Sequence, residues 1–142
     1  MKALTATLSV YMLLFLSACD TDKDNTTMPC DDDVIVSAEA YITAHDDHLN
    51  INSIEIIDDC LVIDFGSSGC DGSTWELKLI DADVIMESDP PQRNVRLSLK
   101  NDELCDAYFS KVISFDISAL QVDGNKLLIN LKGHNEPILY KY

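Results

Sequence analysis

His45-Asp46-Asp47-His48 is the stretch of this chain whose residue types come closest to a metal-binding set. Two histidines three apart converge on one ion when their segment is helical, and the aspartates would supply a third ligand or orient an imidazole. The stretch is short, however, and lies between β-rich runs with Asn50 close behind. We therefore read a polar loop, keep His45 and His48 as the candidate ligands should a metal bind, and expect no cofactor, because a zinc site needs geometry as well as composition. Acid–base chemistry also has few carriers, since His134 is the only other histidine. Asp64-Phe65-Gly66 repeats a kinase triplet, but no glycine-rich loop or catalytic loop accompanies it. No nucleophile elbow, His-Glu-x-x-His helix or phosphate loop occurs. With 25 acidic residues, some carboxylates must lie close by chance, so paired carboxylates do not single out a glycosidase. The chain is expected not to be an enzyme, and a hydrolase whose site no motif reveals is the alternative kept from that class.

Two further features bear on binding. Ser88-Asp89-Pro90-Pro91-Gln92-Arg93-Asn94 is the most unusual loop: its prolines hold it extended, and Pro90, Pro91, Gln92 and Arg93 could meet a partner in a preorganised shape. The plainer reading is a stiff connection between strands, which is favoured because exposed loops are polar by default. Trp75, the sole tryptophan, alternates with Leu77 and Leu79, and that periodicity assigns it to the core rather than to a ligand platform.

These residues need a fold to position them, and the start of the chain says where that fold is delivered. Lys2 is followed by a largely apolar run from Ala3 to Leu16, too short to span a bilayer, which takes about 20 apolar residues, and proportioned like a signal-peptide core. The run ends in Leu16-Ser17-Ala18-Cys19, which resembles the lipobox of bacterial lipoproteins, where small residues precede a cysteine that receives a diacylglyceryl group. The resemblance covers the first 19 residues and implies cleavage before Cys19, a lipid on that cysteine, and a membrane-anchored protein of the bacterial cell envelope. Residues 1–18 are then signal peptide, 19–33 a lipidated tether and 34–142 a single domain.

The net charge is −15, and about −16 once the leader with its single Lys2 is gone. Such a field repels nucleic acid and anionic headgroups and suits an envelope protein or other cationic partner. Residues 20–33 are acidic and lack apolar periodicity, as a solvated tether should. Asp20, Asp22 and Asp24 imitate the start of a calcium loop without its glycine or closing glutamate. The stretch also resembles lipoprotein sorting signals. Aspartate directly after the lipidated cysteine is associated with inner-membrane retention in enterobacteria, and acidic stretches with surface export in Bacteroidetes. The density of acid leans toward the outer membrane or cell surface.

The rest is mostly period two. Val34-Ile35-Val36, Ile51 to Ile57, Leu61 to Phe65, Trp75 to Leu79 continuing past an irregularity at Asp81 to Asp83, Val95 to Leu99, Val112 to Ile117, Leu127 to Leu131 and Pro137 to Tyr142 read as strands. Gly66-Ser67-Ser68-Gly69 is expected to break the third run, Asp89-Pro90-Pro91 to end the fourth, and Asp123-Gly124 to make a tight turn. Single helical turns are expected at Ala38 to Ala44 or Asp102 to Ala107. Seven or eight short strands indicate an all-β protein, a small antiparallel β-sandwich of immunoglobulin-like or similar form. Function then reads as a non-catalytic binding or structural accessory, with a lipoprotein inhibitor of a protease or other envelope enzyme as the alternative on fold analogy alone.

Setting Cys19 aside leaves Cys30, Cys60, Cys70 and Cys105, which allow three pairings. If strands 72–87, 93–100 and 107–116 form a meander, the first and third start at the same end of a sheet. Cys70 and Cys105 then meet, and Cys30 pairs with Cys60. Linking Cys60 to Cys70 instead would require a sharp fold-back at Gly66 to Gly69, because disulfide Cα atoms must lie within about 7 Å.

Overall fold

In a computed structural model, residues 29–142 are described. Cys19, the leader and residues 20–28 of the tether lie outside the described residues.

Alternating apolar residues build strands with one buried face, and two sheets bury those faces against each other. The strands are β1 (Asp32–Asp33), β2 (Ile35–Val36), β3 (Asn50–Ile57), β4 (Cys60–Gly69), β5 (Glu76–Met86), β6 (Gln92–Lys100), β7 (Ala107–Asp116), β8 (Lys126–Leu131) and β9 (Ile138–Lys141). A short helix, α1 (Ala38–Thr43), follows β2, and a 3₁₀ turn, Ser118–Leu120, follows β7. One sheet has the order β1-β7-β4-β3 and the other β2-β5-β6-β8-β9. Leu61, Ile63, Phe65 and Phe115 face Leu79, Val95, Leu127, Ile129 and Tyr140 across the core, all fully buried. Each such side chain contributes about 1.5–3 kcal/mol relative to exposure.

The all-β sandwich expected from the sequence is present, with three differences. Both sheets are mixed: β1 pairs parallel with β7, β2 with β5 and β6 with β8. The wholly antiparallel form fails because the chain changes sheets after β6 and again after β7, so β8 arrives beside β6 running the same way. Asp123-Gly124 lies in that second crossover and joins no hairpin. Second, β4 continues through Gly66 to Gly69, paired to Ala107 at its last residue. Glycine breaks strands by lacking a side chain to pack, but the Tyr108 ring lies over Gly66 in the space a Cβ would take. Third, the fold begins before Val34: Asp32 and Asp33 pair with Phe115 and Asp116, and Asp31 accepts hydrogen bonds from the Ser114 amide (2.8 Å) and hydroxyl (2.7 Å).

The irregularity in β5 falls where expected, with a register shift between Asp81 and Ile85. Asp83 has φ 56°, and its amide donates to Asp81 Oδ1 at 2.8 Å. Of the two helical turns considered, α1 forms, capped by Ser37 Oγ accepting from the Ala40 amide at 3.2 Å. Residues 101–106 carry no helix.

Both expected disulfides are present, Cys30–Cys60 and Cys70–Cys105, with Cα separations of 5.6 and 4.8 Å. The meander invoked for them is not, since β5 and β6 lie in one sheet and β7 in the other. Cys70 meets Cys105 because β4 pairs with β7: Gly69 stands opposite Ala107, which brings the flanking residues together. Cys60 and Cys70 are held apart by the ten residues of β4, about 33 Å at strand rise.

Candidate functional site

The direction of β4 gives the domain two distinct ends. Cys30–Cys60 marks the end where the tether enters. At the other end, residues 44–49, 70–75 and 101–106 gather around Cys70–Cys105.

The His45 to His48 stretch is a loop, as the sequence reading favoured, and its polar groups have structural work. Strand β8 pairs with β6 only as far as Val95, which leaves the later residues of β6 an open edge. The loop fills it. Asp47 donates its amide to Leu99 O (3.3 Å), Arg96 Nη2 donates to His45 O (3.2 Å) and Asp46 Oδ1 (2.7 Å), and Ser98 Oγ donates to His45 O (2.9 Å). Asp47 Oδ2 accepts the Asn101 amide at 2.7 Å, and His48 O accepts Ser67 Oγ at 2.7 Å. The hydrogen bond from Lys132, followed by the charge of Arg96, holds the Asp46 carboxyl below the usual carboxylate range against some desolvation. The aspartates are thus committed to cations and amides. Among the described residues no three His, Cys, Asp or Glu side chains group as metal ligands. His48 Nε2 lies 3.4 Å from Asn50 Nδ2.

Two open clefts flank Asp47 and His48. One, of about 350 Å³, is lined by Leu49, Ile51, Leu97 and Lys132 as well as Asp46. The other, of about 380 Å³, is lined by Ser67, Ser68, Asn101, Glu103 and the exposed Leu104. In the second cleft Ser67 Oγ donates to the main-chain oxygen of His48 at 2.7 Å and not to its imidazole.

Glu103 is the residue that reading the sequence missed. Its Oε2 accepts amides from Cys70 (2.6 Å), Asp71 (3.2 Å) and Gly72 (3.0 Å), and its Oε1 accepts Thr74 Oγ1 (3.0 Å). Desolvation works to raise its pKa, but the bonds from Gly72, Cys70 and Thr74 outweigh that and bring it down to about 2. One carboxylate therefore organises the whole 70–74 loop beside the Cys70–Cys105 bridge.

Trp75 is half-buried and packs against the edge of the core. Its ring stacks on Phe109 with centroids 4.9 Å apart, tilts against Phe65 at 5.9 Å, and has Lys111 Nζ 5.2 Å from its centroid. The proposed partner loop is corrected. Arg93 does not face solvent: it is buried, and its Nη2 and Nε donate to Asp81 Oδ1 (2.8 Å) and Oδ2 (3.2 Å). Gln92, half-buried, donates to Ser88 Oγ (3.1 Å) and accepts from Asn130 Nδ2 (3.1 Å), and Pro91 O accepts the Leu128 amide (2.9 Å). Pro90 and Pro91, both half-buried, lie between the end of β5 at Met86 and the start of β6 at Gln92. The only local clue was Asp81 inside an apolar strand, since a buried carboxylate demands a cation.

No protein-family model matches the chain, and no curated protein matches it significantly in sequence. Among solved structures it is similar in fold to a protein from Parabacteroides distasonis provisionally described as toxin-related, at TM-score 0.53 and 18% identity over 77% of this chain and 61% of the other. It is likewise similar to a protein of unknown function from Bacteroides vulgatus, of the DUF1344 group, at TM-score 0.52 and 16% identity over 78% of this chain and 56% of that one. The chain spans about three fifths of the length of these neighbours. At such identities the likeness is one of fold.

Proposed function

We propose that the protein is a lipid-anchored lipoprotein of the bacterial envelope that acts by binding, without catalysis, through the loop-bearing end of its sandwich. The anchor rests on Leu16-Ser17-Ala18-Cys19. The observation that carries the binding reading is the placement of the two disulfides at opposite ends of β4. Cys30–Cys60 ties the tether to one end. The clefts beside Asp47 and His48 and the Glu103 loop crowd the other. The eleven residues from Cys19 to Cys30 reach at most about 40 Å when extended, and β4 adds about 33 Å. A lipid on Cys19 would attach the domain through its Cys30–Cys60 end, and with the tether extended the cleft-bearing end would lie up to about 70 Å from the membrane.

The test uses acylated protein reconstituted in vesicles that carry a headgroup-attached quencher. A fluorophore placed at Asp58, in the turn beside Cys60, should be quenched more than one placed at Leu104. Equal quenching, or stronger quenching at Leu104, would contradict the orientation. Loss of vesicle binding by Cys19→Ser tests the anchor itself.

A further inference from the structure

We infer that the open edge of β7 receives an extended, basic peptide segment of a partner protein as an added strand. The observation is in the sheet order. On one side β7 pairs with β4 over its whole length, from Ala107 to Asp116. On the other side β1 covers only Phe115 and Asp116. The Ser114 amide points to that second side, toward Asp31, and residues of one strand alternate in hydrogen-bonding direction. Tyr108, Ser110 and Val112 therefore aim their amides and carbonyls outward, and among the described residues none of these groups has a backbone or side-chain partner.

Edge strands are usually blunted. Here β3 carries a register shift at Ile51 and Ser53, β9 has four residues, and β2 with α1 lies along β5. The stretch from Ala107 to Ile113 has neither proline nor bulge. Its one charge, Lys111, is folded inward to Gly72 O at 2.6 Å. Val112 stands 64% exposed beside it, ready to pack against a side chain of an added strand, while the Tyr108 ring leans the other way over Gly66 and accepts from Asn50 Nδ2.

Charge selects the occupant. A second copy would bring together two chains of net charge −15, whereas acids bracket this edge, with Asp106 at its start and Asp31 and Asp32 at its far end. A strand with apolar residues on one face and lysine or arginine at its ends fits both features, and main-chain pairing supplies the rest of the affinity. The inference borrows from the proposed function only that a partner is met in the envelope. The experiment needs no membrane, so the two can fail separately.

The probe is a nine-residue peptide alternating lysine and valine, blocked at both ends, titrated into the isotope-labelled mature chain with Cys19→Ser. We expect slowed amide exchange at Tyr108, Ser110 and Val112, and binding weakened at least tenfold when alternate peptide amides are N-methylated, which leaves charge and side chains intact. Val112→Pro should weaken binding equally, since the amide it removes is unpaired in the sheet. If that variant misfolds, the N-methylated peptide still decides. Equal binding of the methylated peptide, perturbation centred on Asp47 and His48, or no binding at about 1 mM would overturn the inference. So would a concentration-dependent dimer in sedimentation, which would make the second copy the occupant.

Discussion

Cys60 and Cys70 stand at opposite ends of β4, and each is bridged to a segment that this strand alone does not reach, Cys30 before the sandwich and Cys105 in the loop ahead of β7. The pairing predicts that non-reducing peptide maps recover Cys30 with Cys60 and Cys70 with Cys105. The bridges close loops of 30 and 35 residues. Removing either by a paired Cys→Ala substitution should cost about 2–4 kcal/mol in denaturant unfolding, and a linked Cys60–Cys70 peptide would contradict the register of β4.

Asp81 and Arg93 predict an asymmetric mutational response. Both side chains are nearly excluded from solvent. Asp81→Ala strands a buried guanidinium and should destabilise by about 3–5 kcal/mol, while the double change Asp81→Leu with Arg93→Met should cost much less. A single-mutant loss below about 1 kcal/mol would mean that water reaches the pair.

Strand β6 also shows where reading the sequence reaches its limit. Leu61, Ile63 and Phe65, and Val95, Leu97 and Leu99, were legible because the fate of each residue depends on its immediate neighbours through strand alternation. Arg93 shares the inward face of β6 with Val95, so alternation carried to the start of the strand accounts for its burial, whereas Arg96 and Ser98 sit on the opposite face, which alternation assigns to solvent, yet they too are buried. Helix α1 and the His45 to His48 loop cover Arg96 and Ser98, and that loop comes from about fifty residues away. Gly66 was misread for the same reason, its cover being Tyr108. The disulfide partners were found although the meander behind them was not, because both arrangements bring the ends of residues 70 and 105 together. The Glu103 anchor left no signal, since a carboxylate bound to main-chain amides has no sequence spacing.

Glu103 predicts an acid-sensitive loop. Its folded pKa of about 2 lies below the ordinary 4.5, so its contribution to stability is complete above pH 4.5 and fades as pH falls toward 2. Glu103→Gln should lower the thermal midpoint at pH 7, and the gap from wild type should narrow on going to pH 2. A gap independent of pH would show that the side chain acts by packing and not by charge.

The His45 to His48 loop predicts indifference to metal removal. Chelator should leave the thermal midpoint unchanged, because an ion bound only to the folded state would raise it. A drop that His48→Ala abolishes would establish a site. Arg96→Ala, in contrast, should loosen residues 45–48 and speed their amide exchange, since it removes the guanidinium's hydrogen bonds to His45 O, Tyr41 O and Asp46.

Mass spectrometry of the protein purified from membranes of its native host tests whether Cys19 is lipidated. The mature amino terminus should be Cys19 carrying diacylglycerol, and a Cys19→Ser variant should be neither acylated nor cleaved at that bond. An unmodified Cys19 thiol, or an amino terminus elsewhere with the protein recovered in the soluble fraction, would contradict the lipid anchor.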